Sequence, residues 1–165
     1  MADLPKKTLV SVVGAAAAAL LFSIVPKFEG EVLVARADPI GIITACYGNT
    51  KDVHAGQRFT SNECRTRLEQ RLIQHAEPVL RCTPSLKGHA YQFAAAVSFA
   101  YNVGSAAYCG STAAKRFNVG DWRGACRALN ESDNGRPQWV TAGGHVLPGL
   151  VKRRAEEREL CERGL

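Results

Sequence analysis

Several features of nucleic-acid-binding proteins are missing from this sequence of 165 residues. Basic residues exceed acidic residues by 21 to 15, which gives a formal net charge of +6 at pH 7. They are scattered along the chain, however, and no tract of Lys and Arg with interleaved aromatic residues occurs. We therefore expect no nucleic-acid partner. A basic surface also attracts anionic lipid and bacterial cell wall, so charge alone does not choose between those two partners.

Metal-binding motifs are also missing. No two cysteines form a C-x-x-C pair, and the cysteines and histidines do not have the spacing of a zinc site. We therefore expect no metal and no cofactor. An even number of cysteines spread along the chain indicates disulfides formed in an oxidising compartment, with buried free thiols in a cytosolic protein as the alternative. Spacing does not select a pairing among Cys46, Cys64, Cys82, Cys109, Cys126 and Cys161.

One uncharged apolar run, residues 8–25, follows Lys6 and Lys7. As a helix it spans about 27 Å, just short of the hydrocarbon core of a bilayer. Pro26 follows the run and disfavours helical geometry at the residue before it. We therefore expect an N-terminal hydrophobic helix in the inner membrane. Because the positive charges precede it, the rest of the chain is expected on the exported side, in agreement with the cysteines.

Three fates remain open for this run: a permanent anchor, a cleaved signal peptide, and a weak anchor that later leaves the membrane. The alanines at 15–19 make the run only marginally hydrophobic, which favours the weak anchor. The clearest small-x-small cleavage site, residues 35–37, lies further from the run than is usual for a signal peptide. We assign residues 1–26 to an export and anchor segment and residues 27–165 to one domain.

The pattern of residues 27–165 predicts an α+β domain. Residues 30–59 are rich in β-branched residues and glycine, which indicates a small β-rich lobe. Thr60 and Glu63 then match a capping box, and apolar residues at helical spacing predict a long helix to about Arg81. The rest of a larger helical lobe, residues 60–165, is predicted to contain helices at about 85–104, 112–118, 122–129 and 150–162.

Glu29, Asp38 and Thr44 are candidate catalytic residues. In an inverting glycosidase, one carboxylic acid protonates the leaving oxygen while a carboxylate directs a water at the opposite face of the sugar. A threonine hydroxyl can hold that water. On neighbouring loops, these three side chains could face one cleft. The alternative roles are a juxtamembrane charge for the Glu, a turn residue before proline for the Asp, and an ordinary strand residue for the Thr.

Further motifs surround these three residues. Gly30 follows the Glu, T-A-C-Y-G-N-T occupies 44–50, F-A-Y-N-V-G occupies 99–104, and a G-G/R-R-containing segment occupies 141–161. Together with the order Glu, eight residues, Asp, five residues, Thr, they resemble the phage-type lysozymes, the muramidase family of T-even and lambdoid phages. The resemblance covers residues 27–161 in the expected order.

The resemblance implies a lysozyme-like fold, in which a long helix joins the two lobes and a saccharide cleft lies between them. It also implies hydrolysis of the β-1,4 bond between N-acetylmuramic acid and N-acetylglucosamine. Glu29 would be the proton donor, Asp38 the carboxylate that orients or deprotonates water, and Thr44 the second group that holds the water. This chemistry needs a Glu kept protonated by partial burial and an Asp kept ionised by hydrogen bonds. Asn102 and Thr112 are weaker candidates for sugar contacts, and Asn102 is equally well explained as a hydrogen bonder at a helix end.

Disulfide pairing is also implied by the resemblance: Cys46 with Cys64, Cys126 with Cys161, and Cys82 with Cys109 as the remaining pair. Secreted relatives without a cleavable leader hold the enzyme inactive at the inner membrane by a weak, Ala- and Gly-rich signal-arrest-release segment, which residues 8–25 resemble. We expect a monomer that is first tethered facing the periplasm, is then released, and acts on peptidoglycan in phage lysis or local wall opening. The alternatives are a non-catalytic peptidoglycan-binding envelope protein of the same fold and a lytic transglycosylase.

Overall fold

The computed structural model describes residues 7–165 and has the α+β architecture predicted from the sequence. Lys6, part of the positive flank noted above, lies outside the described residues. In chain order the elements are α1 (Leu9–Val13), α2 (Ala15–Glu29), β1 (Val32–Ala37), β2 (Ile43–Cys46), α3 (Ser61–Cys82), a 3₁₀ turn (Pro84–Leu86), α4 (Ala90–Val103), α5 (Ser105–Gly110), α6 (Thr112–Asn118), α7 (Trp122–Arg127), β3 (Thr141–Ala142), β4 (His145–Val146) and α8 (Pro148–Glu162).

The N-terminal apolar run forms two helices in place of the single helix that we expected. Gly14 separates α1 from α2 with φ 85° and ψ 159°, a conformation that residues with a Cβ rarely adopt. The second helix continues past Pro26 to Glu29, so the prediction that the helix ends before the proline is wrong. Burial of Ile24 and Val25 in the core outweighs the backbone hydrogen bond that proline removes.

Both N-terminal helices are part of the core of the helical lobe. Helix α1 packs against α3, and α2 packs against α4. The buried apolar side chains that they contribute are Leu9, Val13, Ala17, Ala18, Leu21, Ile24 and Val25. None of the helices within residues 7–165 combines the length and the apolar character needed to cross a membrane.

An antiparallel pair of strands, β1 and β2, forms the β lobe, with Arg36 opposite Thr44. Its small core is built from Ala35, Ala45, Cys46, Val53, Phe59 and Cys64. The long helix α3 follows and begins with the predicted capping box. The Thr60 hydroxyl accepts a hydrogen bond from the Glu63 N–H, and the Glu63 carboxylate accepts one from the Thr60 N–H. This reciprocal pair sets where the connecting helix leaves the β lobe.

The predicted helices of the larger lobe are confirmed, with some changed boundaries. Asp121 caps α7 through a hydrogen bond from the Gly124 N–H. Helix α4 begins at Ala90 because a 3₁₀ turn and Gly88, at φ 87°, interrupt the chain before it. Helix α5 and the β3–β4 hairpin were not predicted, since each is too short to show a hydrophobic period.

Three disulfides brace both lobes, in the pairing that the resemblance implied. Their Cα–Cα distances are 4.8, 5.7 and 5.5 Å in chain order. The first ties β2 to α3, the second ties the end of α3 to α5, and the third ties α7 to α8. The three pairs are Cys46 with Cys64, Cys82 with Cys109, and Cys126 with Cys161.

Candidate active site

Glu29 is the last residue of α2, and a group from the far end of the chain holds its carboxylate. Its Oε1 lies 2.7 Å from Nη1 of Arg153 in α8. The Glu29 side chain is 20% exposed, so it remains accessible from solvent. Gly30 follows with φ 69° and turns the chain from the helix toward β1. The expectation that this Glu lies on a loop is therefore wrong, because the helix extends three residues beyond Pro26.

A buried ionic network holds Arg153 in place. Its Nε donates to Oε1 of Glu157 at 3.1 Å, and its Nη2 donates to the backbone carbonyl of Ser98 at 3.1 Å. Nε of Arg154 lies 2.9 Å from Oε2 of the same Glu157. Burial raises the pKa of Glu157 against the opposing effect of the two guanidiniums, and burial lowers the pKa of Arg154 to about 10. Arg154 therefore stays charged at neutral pH.

The role of Arg153 was not predicted from the sequence, although a signal was present. Arg153, Glu157 and Leu160 are four and three residues apart, so they share one face of α8. Leu160 marks that face as the one turned to the core, where it is 5% exposed. A charged pair at helical spacing beside a core leucine indicates a buried ion pair.

Asp38 lies immediately after β1, in the turn that leads to β2. Its Oδ1 accepts hydrogen bonds from the backbone N–H groups of Ile40 at 3.0 Å and Ile42 at 2.9 Å. Its own N–H donates to the carbonyl of Ile42 at 2.8 Å, which closes the hairpin. These contacts fix the orientation of the carboxyl group, and they are also those of a turn residue before proline, the alternative role given above.

Thr44 lies on β2, on the same hairpin as Asp38. On the neighbouring strand it pairs with Arg36, and Arg36 precedes Asp38 by two residues. The Thr44 hydroxyl lies 3.5 Å from the Arg36 carbonyl oxygen. The structure therefore brings Asp38 and Thr44 together near the turn of one hairpin. A Cβ placed on Gly48, four residues beyond Thr44, would lie 3.5 Å from Oε2 of Glu29. The carboxylate of α2 thus borders the segment that leaves this hairpin.

Asn102 and Thr112 are both exposed, on different helices. Asn102 lies in the last turn of α4, and its Oδ1 accepts a hydrogen bond from Nη2 of Arg154 at 3.1 Å. This contact fits the role of a hydrogen bonder at a helix end. Thr112 is exposed at the start of α6. Within residues 7–165, no three His, Cys, Asp or Glu side chains are grouped as a metal site requires.

Comparison with known sequences gives matches over most of the chain. The sequence model of the family described as phage lysozyme matches residues 26–157. The SAR-endolysin of Bacteriophage PS119 is 36% identical over 136 residues, which cover 81% of this chain and 75% of that protein. The SAR-endolysin of Enterobacteria phage P21 is 32% identical over 139 residues, which cover 81% of this chain and 76% of that protein.

Solved structures have the same fold. The muramidase domain of SpmX from Asticaccaulis excentricus aligns with a TM-score of 0.73 at 30% identity and covers 90% of this chain and 96% of that domain. The active form of P1 phage endolysin Lyz aligns with a TM-score of 0.75, over 92% of this chain and 85% of that chain. At 24% identity, the second alignment supports only the shared fold.

Proposed function

The chain belongs to the phage lysozyme family, and we propose that it is an exported muramidase that cleaves the β-1,4 bond between N-acetylmuramic acid and N-acetylglucosamine in peptidoglycan. One observation carries the proposal: the carboxylate of Glu29, partly open to solvent, is held by Arg153 and borders Gly48, in the segment that leaves the hairpin bearing Asp38 and Thr44. In this proposal Glu29 is the acid, Asp38 is the second carboxylate, and Thr44 supplies the hydroxyl.

The proposed mechanism is a single displacement with inversion. Glu29 donates a proton to the glycosidic oxygen as the bond to the anomeric carbon breaks, and Asp38 accepts a proton from the water that attacks the opposite face. Thr44 helps to hold that water. Oε1 of Glu29 accepts a hydrogen bond from Arg153, so we assign the transferable proton to Oε2, on the side of Gly48.

Replacing Glu29 by Gln tests the assigned acid, because an amide keeps the size of the side chain and cannot give up a proton to the leaving group. We expect lysis of permeabilised Gram-negative cells to slow by roughly 10²- to 10⁴-fold. Glu159→Gln is the matched control, since Glu159 is 66% exposed and pairs with Arg163 on the surface of α8. Unchanged lysis by Glu29→Gln would remove the proposed acid.

Product analysis separates the alternative activities. An inverting hydrolase releases the α-anomer first, which proton NMR detects before mutarotation. Anhydro sugar ends in the products would indicate a lytic transglycosylase instead. Binding to purified peptidoglycan without any cleavage would indicate a non-catalytic envelope protein.

Tethering and release form the second part of the proposal. Residues 8–25 hold the exported chain at the inner membrane, and the chain becomes an active periplasmic monomer when they leave the lipid. The relatives named SAR-endolysin support this, as does the burial of Leu9, Leu21 and Val25 in the helical lobe. While these side chains are in lipid, α2 is missing from the lobe. Glu29, four residues after Val25, then lacks its place beside Arg153.

Fractionation of expressing cells tests release. We expect membrane-embedded chains to be inactive on purified peptidoglycan and soluble chains with the same N-terminus to be active. Equal specific activity of the two fractions would show that tethering does not control the enzyme. N-terminal sequencing of the soluble form adds a second check, because cleavage after Ala37 would discard Glu29 altogether.

A further inference from the structure

A tight turn, residues 45–49, follows the hairpin and lies against the proposed acid; we call it the Tyr47 turn. Ala45 and Asn49 exchange two backbone hydrogen bonds, with N–O distances of 2.9 and 2.8 Å. Between them, Cys46 and Gly48 have φ values of 55° and 74°. The left-handed region is unfavourable for a residue with a Cβ, so contacts from elsewhere in the protein must stabilise this turn at Cys46.

The disulfide to Cys64 of α3 holds Cys46 itself, and Arg71 of α3 contacts the next two residues of the turn. Its Nη1 donates hydrogen bonds to the backbone carbonyls of Tyr47 at 3.1 Å and Gly48 at 2.7 Å. Its guanidinium lies over the ring of Tyr101, 4.5 Å from the centroid. The Tyr101 hydroxyl donates to the same Tyr47 carbonyl at 3.0 Å. Two helices of the larger lobe, α3 and α4, therefore hold this turn of the β lobe through a cationic donor and a phenol.

Tyr101 remains a donor at any pH at which the enzyme would work. Its side chain is 5% exposed, and burial raises its pKa to about 12. The charge of Arg71 lowers that pKa and the charge of Glu29 raises it, which is consistent with both groups lying near the ring. The phenol therefore keeps its proton and its hydrogen bond to the turn.

The Tyr47 turn lies between Arg71 and Glu29. A Cβ placed on Gly48 would lie 3.5 Å from Nη1 of Arg71 and 3.5 Å from Oε2 of Glu29. Movement of this turn would therefore change the space around Oε2, the oxygen to which we assign the transferable proton. It would also move β2, which ends inside the turn and carries Thr44.

We propose that Arg71 is a positioning residue for the catalytic centre. It holds the Tyr47 turn against the helical lobe, and through the turn it fixes the surroundings of Glu29 and the placement of the hairpin relative to it. This inference rests on the proposed muramidase function. Arg71 acts through backbone carbonyls, so its loss should affect the chemical step more than substrate binding.

Arg67, one helical turn earlier on α3, offers a matched control. Its Nη1 donates to the backbone carbonyl of Lys51 at 3.2 Å, and its guanidinium lies 4.8 Å from the ring centroid of Phe59. It therefore makes the same two kinds of contact as Arg71, a hydrogen bond to a carbonyl and a cation–π contact, at a turn other than the one that borders Glu29.

The test compares Arg71→Met with Arg67→Met in the released full-length enzyme. On soluble peptidoglycan fragments, we expect Arg71→Met to lower kcat by roughly 10- to 100-fold with KM changed less than about twofold. Arg67→Met should leave kcat within about twofold of the wild type while lowering the melting temperature to a similar extent. Arg71→Lys should fall between wild type and Arg71→Met, because an ammonium can still donate to a carbonyl.

A spectroscopic measurement accompanies the kinetics. The amide resonance of Gly48 in ¹⁵N-labelled protein should shift in Arg71→Met and stay in place in Arg67→Met. If Arg71→Met does not fold, Arg71→Lys and Tyr101→Phe carry the test, each with a smaller loss of kcat and the same displaced resonance.

Equal kcat losses in Arg71→Met and Arg67→Met, or a change confined to KM, would overturn the inference. Failure of the proposed function gives a different result: the wild type does not cleave, or Glu29→Gln is fully active. The Gly48 resonance would then still report whether Arg71 holds the Tyr47 turn. An unmoved resonance in Arg71→Met would show that Arg71 does not hold it.

Discussion

If the proposed tethering and release operate, substituting Gly14 with Ala should shift the chain from the released form toward the membrane-embedded form. Gly14 joins α1 to α2 with φ 85° and ψ 159°, a region of backbone space nearly restricted to glycine. No heavy atom lies within 4 Å of the position that its Cβ would take, so an alanine causes no steric clash there. It destabilises the released fold only through its unfavourable backbone conformation. Holding an alanine in that region costs about 1–3 kcal/mol.

The same substitution favours the embedded form. There, residues 8–25 are expected to form one continuous helix, in which Ala is more favourable than Gly by about 1 kcal/mol. The two effects have the same sign and sum to about 2–4 kcal/mol. Since about 1.4 kcal/mol corresponds to a tenfold change, the ratio of embedded to released chains should rise roughly 30- to 1,000-fold.

The assay measures that ratio by immunoblotting the membrane and soluble fractions of cells expressing the full chain. Ala19→Gly is the matched control, because Ala19 is exposed on α2 and helical in both forms. The substitution therefore destabilises the helix equally in the embedded and released forms and should leave their ratio unchanged. A Gly14→Ala chain that partitions as the wild type does, or that becomes more soluble, would refute the reasoning. An equally large shift for Ala19→Gly would show that the backbone at Gly14 is not the cause.

Three further predictions concern stability of the released form. Replacing both Cys82 and Cys109 by Ala opens a loop with a sequence separation of 27, and we expect urea unfolding to show a loss of about 3–4 kcal/mol; an unchanged midpoint would contradict it. The capping hydrogen bond lowers the pKa of Glu63 below 4.5, so its stabilising effect should be present above that pH and lost as pH falls further. The difference in melting temperature between wild type and Glu63→Gln should therefore shrink in acid, and a constant difference would count against the cap. Arg154→Met leaves buried Glu157 with one guanidinium fewer and should cost about 3–5 kcal/mol in urea unfolding, whereas a cost below about 1 kcal/mol would mean that the ion pair contributes little.

Features that depend on residues close together in the sequence could be predicted. The start of α3 followed from Thr60 and Glu63, because a capping box is closed within one helical turn. The bounds of α6 were predicted as well. The candidate catalytic set was found from the spacing of Glu29, Asp38 and Thr44 together with the motifs around it, without any knowledge of contacts.

The continuation of α2 past Pro26 could not be predicted, because the local effect of proline on the helix is outweighed by packing against residues distant in the sequence. Proline removes one backbone hydrogen bond, which favours an end to the helix. Burial of Ile24 and Val25 against α4 and its neighbours acts in the other direction, and the sequence does not show which residues will cover them. This outcome places Glu29 on the end of a helix.

The amino-acid sequence by itself determined the family, the two lobes, the order of the main helices and the three residues proposed for catalysis. The tertiary structure alone decided how the proposed acid is held, because Glu29 and Arg153 are 124 residues apart and meet only when α2 and α8 pack into one lobe. The tertiary structure also brings Arg71 to the Tyr47 turn. Arg71 donates to the carbonyl of Gly48, which lies 23 residues earlier in the chain. Local rules of capping and periodicity act within a few residues, whereas an ion pair or a carbonyl contact between distant elements exists only once the core has brought those elements together.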